Sequence, residues 1–327
     1  MQEQRIDLSS DFHAAMAGPF VREEPARGVV LMRGRDARDL LHRLSTTRLD
    51  NLHDGEVRET LLTTEKGRVI DAILVARDND LLRLYTSPGR AADVRTWLEK
   101  FTIMEDCTYE DASDVNAQFS IHNIPDAGNP LPGLALPASG SVTTTSVGDV
   151  EVEILRHESV TGPGLRLVCA TPDAAVLRAV LLGTMKLPLL DDEAFALWRV
   201  ARLLPAVGYE LGERTNPLEA GAARAVDFRK GCFIGQEVIA RLDSYDKVQR
   251  HPRRLRFAAG TEAPALGSDL VKDGADAGFV TTVAVDPETR NVVGIGLVRN
   301  AFARSGTMLS CGGALVEVRD GADDNQE

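Results

Sequence analysis

Apolar and polar positions alternate with a period near two over much of this chain, in short runs broken by Gly, Pro and Asp. Gly28-Val-Val-Leu-Met32 predicts a buried strand, and Gly34-Arg-Asp36 predicts a turn with Asp36 as N-cap of a helix over Ala37–Leu44. Val57–Thr63 and Arg68–Arg77 predict two strands joined by Thr64-Glu-Lys-Gly67. Asp78-Asn-Asp80 turns the chain into a strand at Leu82–Thr86, and Pro88 predicts a helix start that carries to about Phe101. The order then returns. Glu151–His157 and Leu165–Ala170 predict strands around Gly162-Pro-Gly164, and Pro172 predicts a helix to about Leu182.

The two passages align. Leu82-Arg-Leu84 matches Leu165-Arg-Leu167, Pro88 matches Pro172 with a slip of one, and Arg95-x-x-Leu98 matches Arg178-x-x-Leu181. Either two amphipathic β-α units converge on similar residues, or a β-β-α unit is duplicated. Both readings give α+β with antiparallel pairing rather than a doubly wound parallel sheet. The Pro-, Gly- and Thr-rich stretch Asp111–Gly148 predicts one strand near Ala117–Ile121 and a long exposed connection. Asp191–Leu204 predicts a helix. From Arg253 onward, short runs at Leu255–Ala258, Gly278–Val285, Val292–Arg299 and Leu315–Val318 predict a small antiparallel barrel or sandwich, followed by an acidic, frayed tail over Asp320–Glu327.

Length adds that 327 residues suffice for about two domains. With 37 basic against 49 acidic side chains, the net charge of −12 repels a phosphate backbone, which disfavours an extended nucleic-acid surface and leaves room for a small basic pocket. The N-terminus lacks an apolar core of signal-peptide length and no apolar run reaches 18 residues, so the expectation is a cytoplasmic protein with no membrane association. The four cysteines, at 107, 169, 232 and 311, form no C-x-x-C or Cys/His cluster. Reduced thiols and no preformed metal site are expected.

The chemistry concentrates in Phe228-Arg-Lys-Gly-Cys-Phe-Ile-Gly-Gln-Glu-Val-Ile-Ala-Arg241. Gly231 and Gly235 permit a tight backbone path around Cys232, where nearby cations or a helix N-terminus would favour thiolate. That makes Cys232 a candidate nucleophile or soft-metal ligand, although a cysteine before Phe233 and Ile234 also suits a buried apolar site. Gln236, Glu237 and Arg241 fall on a predicted helix, with Glu237 and Arg241 spaced as an i,i+4 pair. Cys107, Cys169 and Cys311 lie in strand-like apolar contexts and read as core. Arg199, Arg202, Arg224, Arg229, Lys230 and Arg241 are either solvated positions or a cationic pocket for an anionic ligand.

Lys230-Gly-Cys-Phe-Ile-Gly-Gln-Glu237 resembles the K-G-C-Y/F-x-G-Q-E motif of the folate-binding YgfZ family, relatives of the aminomethyltransferase (T-protein) of glycine cleavage. Leu31–Leu41, Leu61–Asp71, Asn216-Pro-Leu-Glu-Ala220 and Gly278–Thr282 extend the resemblance over most of the chain. It implies a duplicated folate-binding core of antiparallel sheets and helices over residues 1–248 and a C-terminal Greek-key β-barrel over residues 249–327. It also implies tetrahydrofolate as cofactor and iron–sulfur client or assembly proteins as partners. Cys232 is then the essential thiol, with Gly231, Phe233 and Gly235 shaping its loop. Asp71, Arg199, Lys230, Gln236, Glu237 and Arg241 are the implied cofactor contacts. Against the T-protein pattern, Ala72 replaces the second of two adjacent acids and Ala201 replaces a pterin-binding glutamate, which disfavours aminomethyl transfer. A folate-dependent transferase and a non-catalytic folate scaffold remain as alternatives.

Overall fold

The computed structural model describes residues 8–124, 131, 134–245 and 247–320, so the acidic tail expected after Asp320 lies outside the described residues. The chain groups into two compact units. One runs from Gly18 to Leu189 and takes back Arg224–Ala240; the other comprises the described residues up to Ala17, Leu190–Ala223 and the chain from Arg241 on.

Helix α1 (Leu8–Ala17) comes first. The larger unit then contains β1 (Phe20–Glu23), β2 (Arg27–Arg33), α2 (Ala37–Leu44), β3 (Val57–Thr63), β4 (Val69–Asp78), β5 (Leu81–Pro88), α3 (Ala91–Phe101) and β6 (Thr108–Asp111). It continues with β7 (Asn116–His122), β8 (Ser141–Val147), β9 (Val150–Ser159), β10 (Gly162–Ala170) and α4 (Ala174–Ala179). Two five-stranded sheets result, ordered β3-β4-β5-β2-β6 and β8-β9-β10-β7-β1, with every strand pair antiparallel. Read strand against strand, β2 to β5 of one sheet stand where β7 to β10 stand in the other. The repeat suggested by the Leu82/Leu165 alignment is therefore present in the topology. The fifth position differs: β6 fills it in the first sheet, and the N-terminal β1 fills it in the second.

Each sheet packs one face on its own helices. Met32, Leu40, Leu41, Ile73, Leu84 and Leu98 form the first apolar layer, and Ile121, Val152, Ile154, Leu167, Leu177 and Leu181 the second. Fully burying such a side chain contributes about 1.5–3 kcal/mol, which fixes the face each strand turns inward. The opposite faces enclose a smaller layer of Val29, Val57, Leu74, Tyr85, Leu155 and Val168.

Four local expectations are corrected. Pro88 does not open α3; it ends β5 opposite Arg27, and Gly89 (φ +71°) turns the chain before the helix. Asp36 precedes α2 but does not cap it, because its backbone is helical (φ −98°, ψ 0°) and its carboxylate instead accepts the Asp106 N–H at 2.9 Å. Gly162-Pro-Gly164 is strand, since Ser159 pairs with Gly162 and leaves Val160-Thr161 as the turn. The connection expected within Asp111–Gly148 contains β8, a Thr-rich edge strand paired along its length with β9.

In the second unit, α5 (Asp192–Arg202) starts where expected, with the Asp191 carboxylate accepting the Ala194 N–H at 2.8 Å. Helix α6 (Gln236–Ser244) leads toward β11 (Arg250–Phe257), β12 (Asp269–Lys272), β13 (Ala275–Val285), β14 (Val292–Arg299), β15 (Met308–Cys311) and β16 (Ala314–Arg319). These close into a six-stranded barrel in the order β11-β14-β13-β12-β15-β16, which settles barrel against sandwich. Its interior is apolar, built on Leu255, Phe257, Leu270, Val280, Leu309 and Val316.

Candidate functional site: the Cys232 loop

The loop from Val226 to Gly235 lies against two local features of the larger unit, the C-terminal end of α2 and the β3–β4 turn. The Asp227 N–H donates to Thr46 O at 2.9 Å, and Thr46 Oγ1 donates to Ala225 O at 2.6 Å. Lys230 is buried, and its ammonium donates to His42 O and Ser45 O. Those carbonyls belong to the last turn of α2, where a helix leaves acceptors unsatisfied and a cation is favoured. Burial pulls the Lys230 ammonium down to about 8. The same burial, with the Lys230 charge beside it, holds the His42 imidazole below its ordinary value, and His42 Nδ1 accepts the Leu49 N–H at 3.1 Å.

The motif's remaining residues complete the clamp. Phe233 is buried with the Lys230 ammonium 5.4 Å from its ring centre, and Ile234 packs on the α2–α3 layer. Thr63 Oγ1 donates to Ile234 O at 2.6 Å. Gly235 has φ +83°, and a Cβ there would stand 2.6 Å from Thr64 O and 3.0 Å from Gly67 Cα. Only glycine fits this approach of two backbones. Gly231, at φ +101°, makes the opposing bend.

Between the two glycines Cys232 is exposed. Cys169 and Cys311 are buried as expected, whereas Cys107 is half-buried at the edge of the first apolar layer. Burial pushes all three of those thiols up. Of the four cysteines, Cys232 is thus the fully exposed one, open to a soluble reagent or a partner protein in the folded chain. Among the described residues no three His, Cys, Asp or Glu side chains converge to hold a metal ion.

The other site residues named from sequence divide by where their polar atoms go. Asp71 is fully enclosed; one carboxylate oxygen accepts the Ala72 N–H at 2.8 Å and the other accepts the Ser87 N–H at 3.1 Å. Burial pushes its carboxyl up to about 6, against the pull of those donors. Ala72, next along β4, points to the other face and is partly open. Arg199 lies in the second unit, 2 % exposed, donating to Glu210 at 2.9 Å, Leu204 O at 3.0 Å and Thr282 Oγ1 at 2.9 Å. Asp71, Arg199 and Lys230 are therefore each engaged by protein groups. Gln236, Glu237 and Arg241 lie on α6 with Glu237 and Arg241 exposed, and the expected Glu237–Arg241 ion pair does not form, because neither side chain has a polar partner among the described residues.

Sequence reasoning missed a buried polar layer on the inner faces of the two sheets. Arg27 Nε donates to Glu24 at 2.9 Å, Arg166 donates to Gln118 at 3.1 Å, and Tyr85 Oη donates to Glu153 at 2.5 Å. The only signal was a charged residue set among the apolar residues of a strand, as at Glu59 and Arg166.

Replacing Lys230 by methionine leaves the His42 and Ser45 carbonyls without their donor, a loss of about 1–3 kcal/mol. Hydrogen–deuterium exchange over Val226–Gln236 is expected to accelerate while the β9–β10 hairpin keeps its protection. Unchanged protection of the loop would show that Lys230 does not hold it.

Comparison with known proteins places this geometry. Residues 26–230 match the family described as the GCVT N-terminal domain. The chain is similar to the aminomethyltransferase of Geobacillus kaustophilus, 29 % identical over 296 residues, covering 85 % of this chain and 79 % of the relative. The aminomethyltransferase of Halalkalibacterium halodurans is 28 % identical over 297 residues, covering 86 % and 78 %. Among solved structures, the glycine cleavage system aminomethyltransferase T from Bartonella henselae superposes with a TM-score of 0.77 at 19 % identity, covering 97 % of this chain and 89 % of that one. That likeness concerns the fold. Among the described residues no helix is long and apolar enough to cross a membrane.

Proposed function

The chain belongs to the GCVT N-terminal domain family, and on that footing we propose that it is a tetrahydrofolate-binding accessory protein for iron–sulfur cluster assembly or repair, acting through the Cys232 thiol. The observation that carries this reading is the presentation of Cys232. It is exposed on a loop anchored on either side at Lys230 and Ile234, within the eight-residue motif that resembles the YgfZ branch. A thiolate held outward in this way offers a single soft ligand to an iron. One thiolate cannot retain a [4Fe–4S] cluster, so the remaining ligands come from a client protein or from small thiols, and the cluster is cargo. Localisation in the cytoplasm and iron–sulfur proteins as partners belong to the same proposal.

The fit to tetrahydrofolate is uneven. Asp71, Arg199 and Lys230 have their polar atoms engaged by the protein, which leaves Gln236, Glu237 and Arg241 of the expected set with groups to offer a ligand. No step of the thiol chemistry is routed through the folate. Deleting the protein from its host and assaying iron–sulfur enzymes tests the role: their activities fall if the proposal holds, and unchanged activities end it.

A second reading, folate-dependent aminomethyl transfer, is favoured by the relatives named aminomethyltransferase. Against it, the acid kept at Asp71 faces into the protein while the partly open neighbouring position holds Ala72. Methylenetetrahydrofolate formation from an aminomethyl-loaded carrier protein is accordingly expected to be negligible. Substantial turnover that disappears in Asp71→Asn would reverse this ranking.

A further inference from the structure

A pocket of about 360 Å³ opens in the larger unit, apart from the Cys232 loop, between the start of β3 and the end of β9. Its volume suits a small molecule. Val57, Gly140 and Ala225 give it small apolar walls, and Thr47 and Ser159 add hydroxyls. Two side chains of opposite charge, Glu59 and Arg224, line it together.

Both are tied to the same turn without being tied to each other. Glu59 Oε2 accepts the Val160 N–H at 2.7 Å, and the Arg224 guanidinium donates to Ser159 O. Glu59 Oε1 has no partner among the described residues, and the remaining Arg224 donors have none either. An acid and a guanidinium that share a pocket ordinarily pair. Here each is held by the backbone and keeps an unused polar edge. We propose that this pocket binds a zwitterionic α-amino acid, with its ammonium on Glu59 Oε1 and its carboxylate on Arg224. The assignment is independent of the Cys232 thiol.

Burial agrees with this. It pushes the Glu59 carboxyl up to about 8 in the empty pocket, where the Val160 N–H and the charges of Arg224, Arg27 and Arg166 offset it only in part; Arg58 and Glu158 complete the charged lining. At pH 7 the empty-pocket carboxyl is thus mostly protonated, and an arriving ammonium favours its ionised form. Binding therefore releases a proton, in an amount approaching one at pH 7 and shrinking as the pH rises through 8.

Calorimetric titration of the full-length protein with glycine, L-valine and L-glutamine, in two buffers of different ionisation enthalpy, tests the assignment. At least one of the three is expected to saturate with proton release. Its N-acetyl and carboxamide forms are each expected to bind at least about tenfold more weakly, since the first loses the ammonium that pairs with Glu59 and the second loses the carboxylate that pairs with Arg224. Glu59→Gln and Arg224→Gln are expected to lose binding by a similar factor. Glu59→Gln preserves the acceptor for the Val160 N–H, and Arg224 is an exposed side chain, so at least one variant keeps the wild-type melting temperature. Absence of saturation by all three amino acids overturns the proposal. So does equal binding of a blocked form, or wild-type binding by a folded variant.

Discussion

Cys232→Ser is expected to abolish rescue of iron–sulfur enzyme activity in cells lacking the protein, while leaving its stability within about 0.5 kcal/mol of wild type. The two halves of this expectation rest on the same geometry. Cys232 is exposed, so exchanging sulfur for oxygen disturbs no packing; its loop is held by Lys230, Phe233, Ile234 and Gly235, none of which the substitution touches. What changes is the chemistry, because a serine hydroxyl is not a soft ligand. Complementation with wild type and variant at matched protein levels reads the first half, and a melting curve reads the second. Full rescue by a normally folded serine variant would refute the thiol mechanism and favour a folate-binding scaffold.

Arg199→Leu is expected to destabilise the protein by about 3–5 kcal/mol, lowering its melting temperature by roughly 10 °C. Arg199 and Glu210 are 2 % and 0 % exposed, and Glu210 also accepts from Ala206 N–H, Thr281 and Thr282. Removing the guanidinium leaves a buried carboxylate with three hydrogen bonds and no compensating charge. Adding Glu210→Leu relieves the stranded charge but leaves the two threonine hydroxyls with one acceptor fewer, so the double variant recovers only part of the loss. Chemical denaturation of the two variants and wild type measures both steps. A loss below about 1 kcal/mol for Arg199→Leu would mean that the pair contributes no more than an exposed one.

The repeated strands were legible because each turns one face to a helix layer, which writes runs of apolar residues bounded by turn residues into β3, β4, β9 and β10. What escaped were strands too short or too polar to show a period. β1, β6, β12 and β15 have four residues each, too few for a period, and β8 is built of serine, threonine and valine at a sheet edge. The candidate site divides in the same way. Cysteine between two glycines announced an exposed, tightly turned loop. Sequence could not reveal that Lys230 reaches Ser45 across 185 positions, or that Asp71 and Arg199 are enclosed. A buried charge with protein partners and an open charge awaiting a ligand are the same letter until long-range contacts separate them.

The use of β1 as the fifth strand of the second sheet, where the first sheet uses β6, has a kinetic side. β1 is synthesised first, yet its partner β7 lies about 100 positions later, with Phe20 facing His122. At 5–20 residues per second, β1 waits on the order of 5–20 s on the ribosome before its partner strand exists. The first sheet needs nothing from β1, because β2 to β6 arrive together and close among themselves. Synthesis therefore favours a fixed order, with the first half condensing alone and the N-terminal strand joining last as the edge of the second.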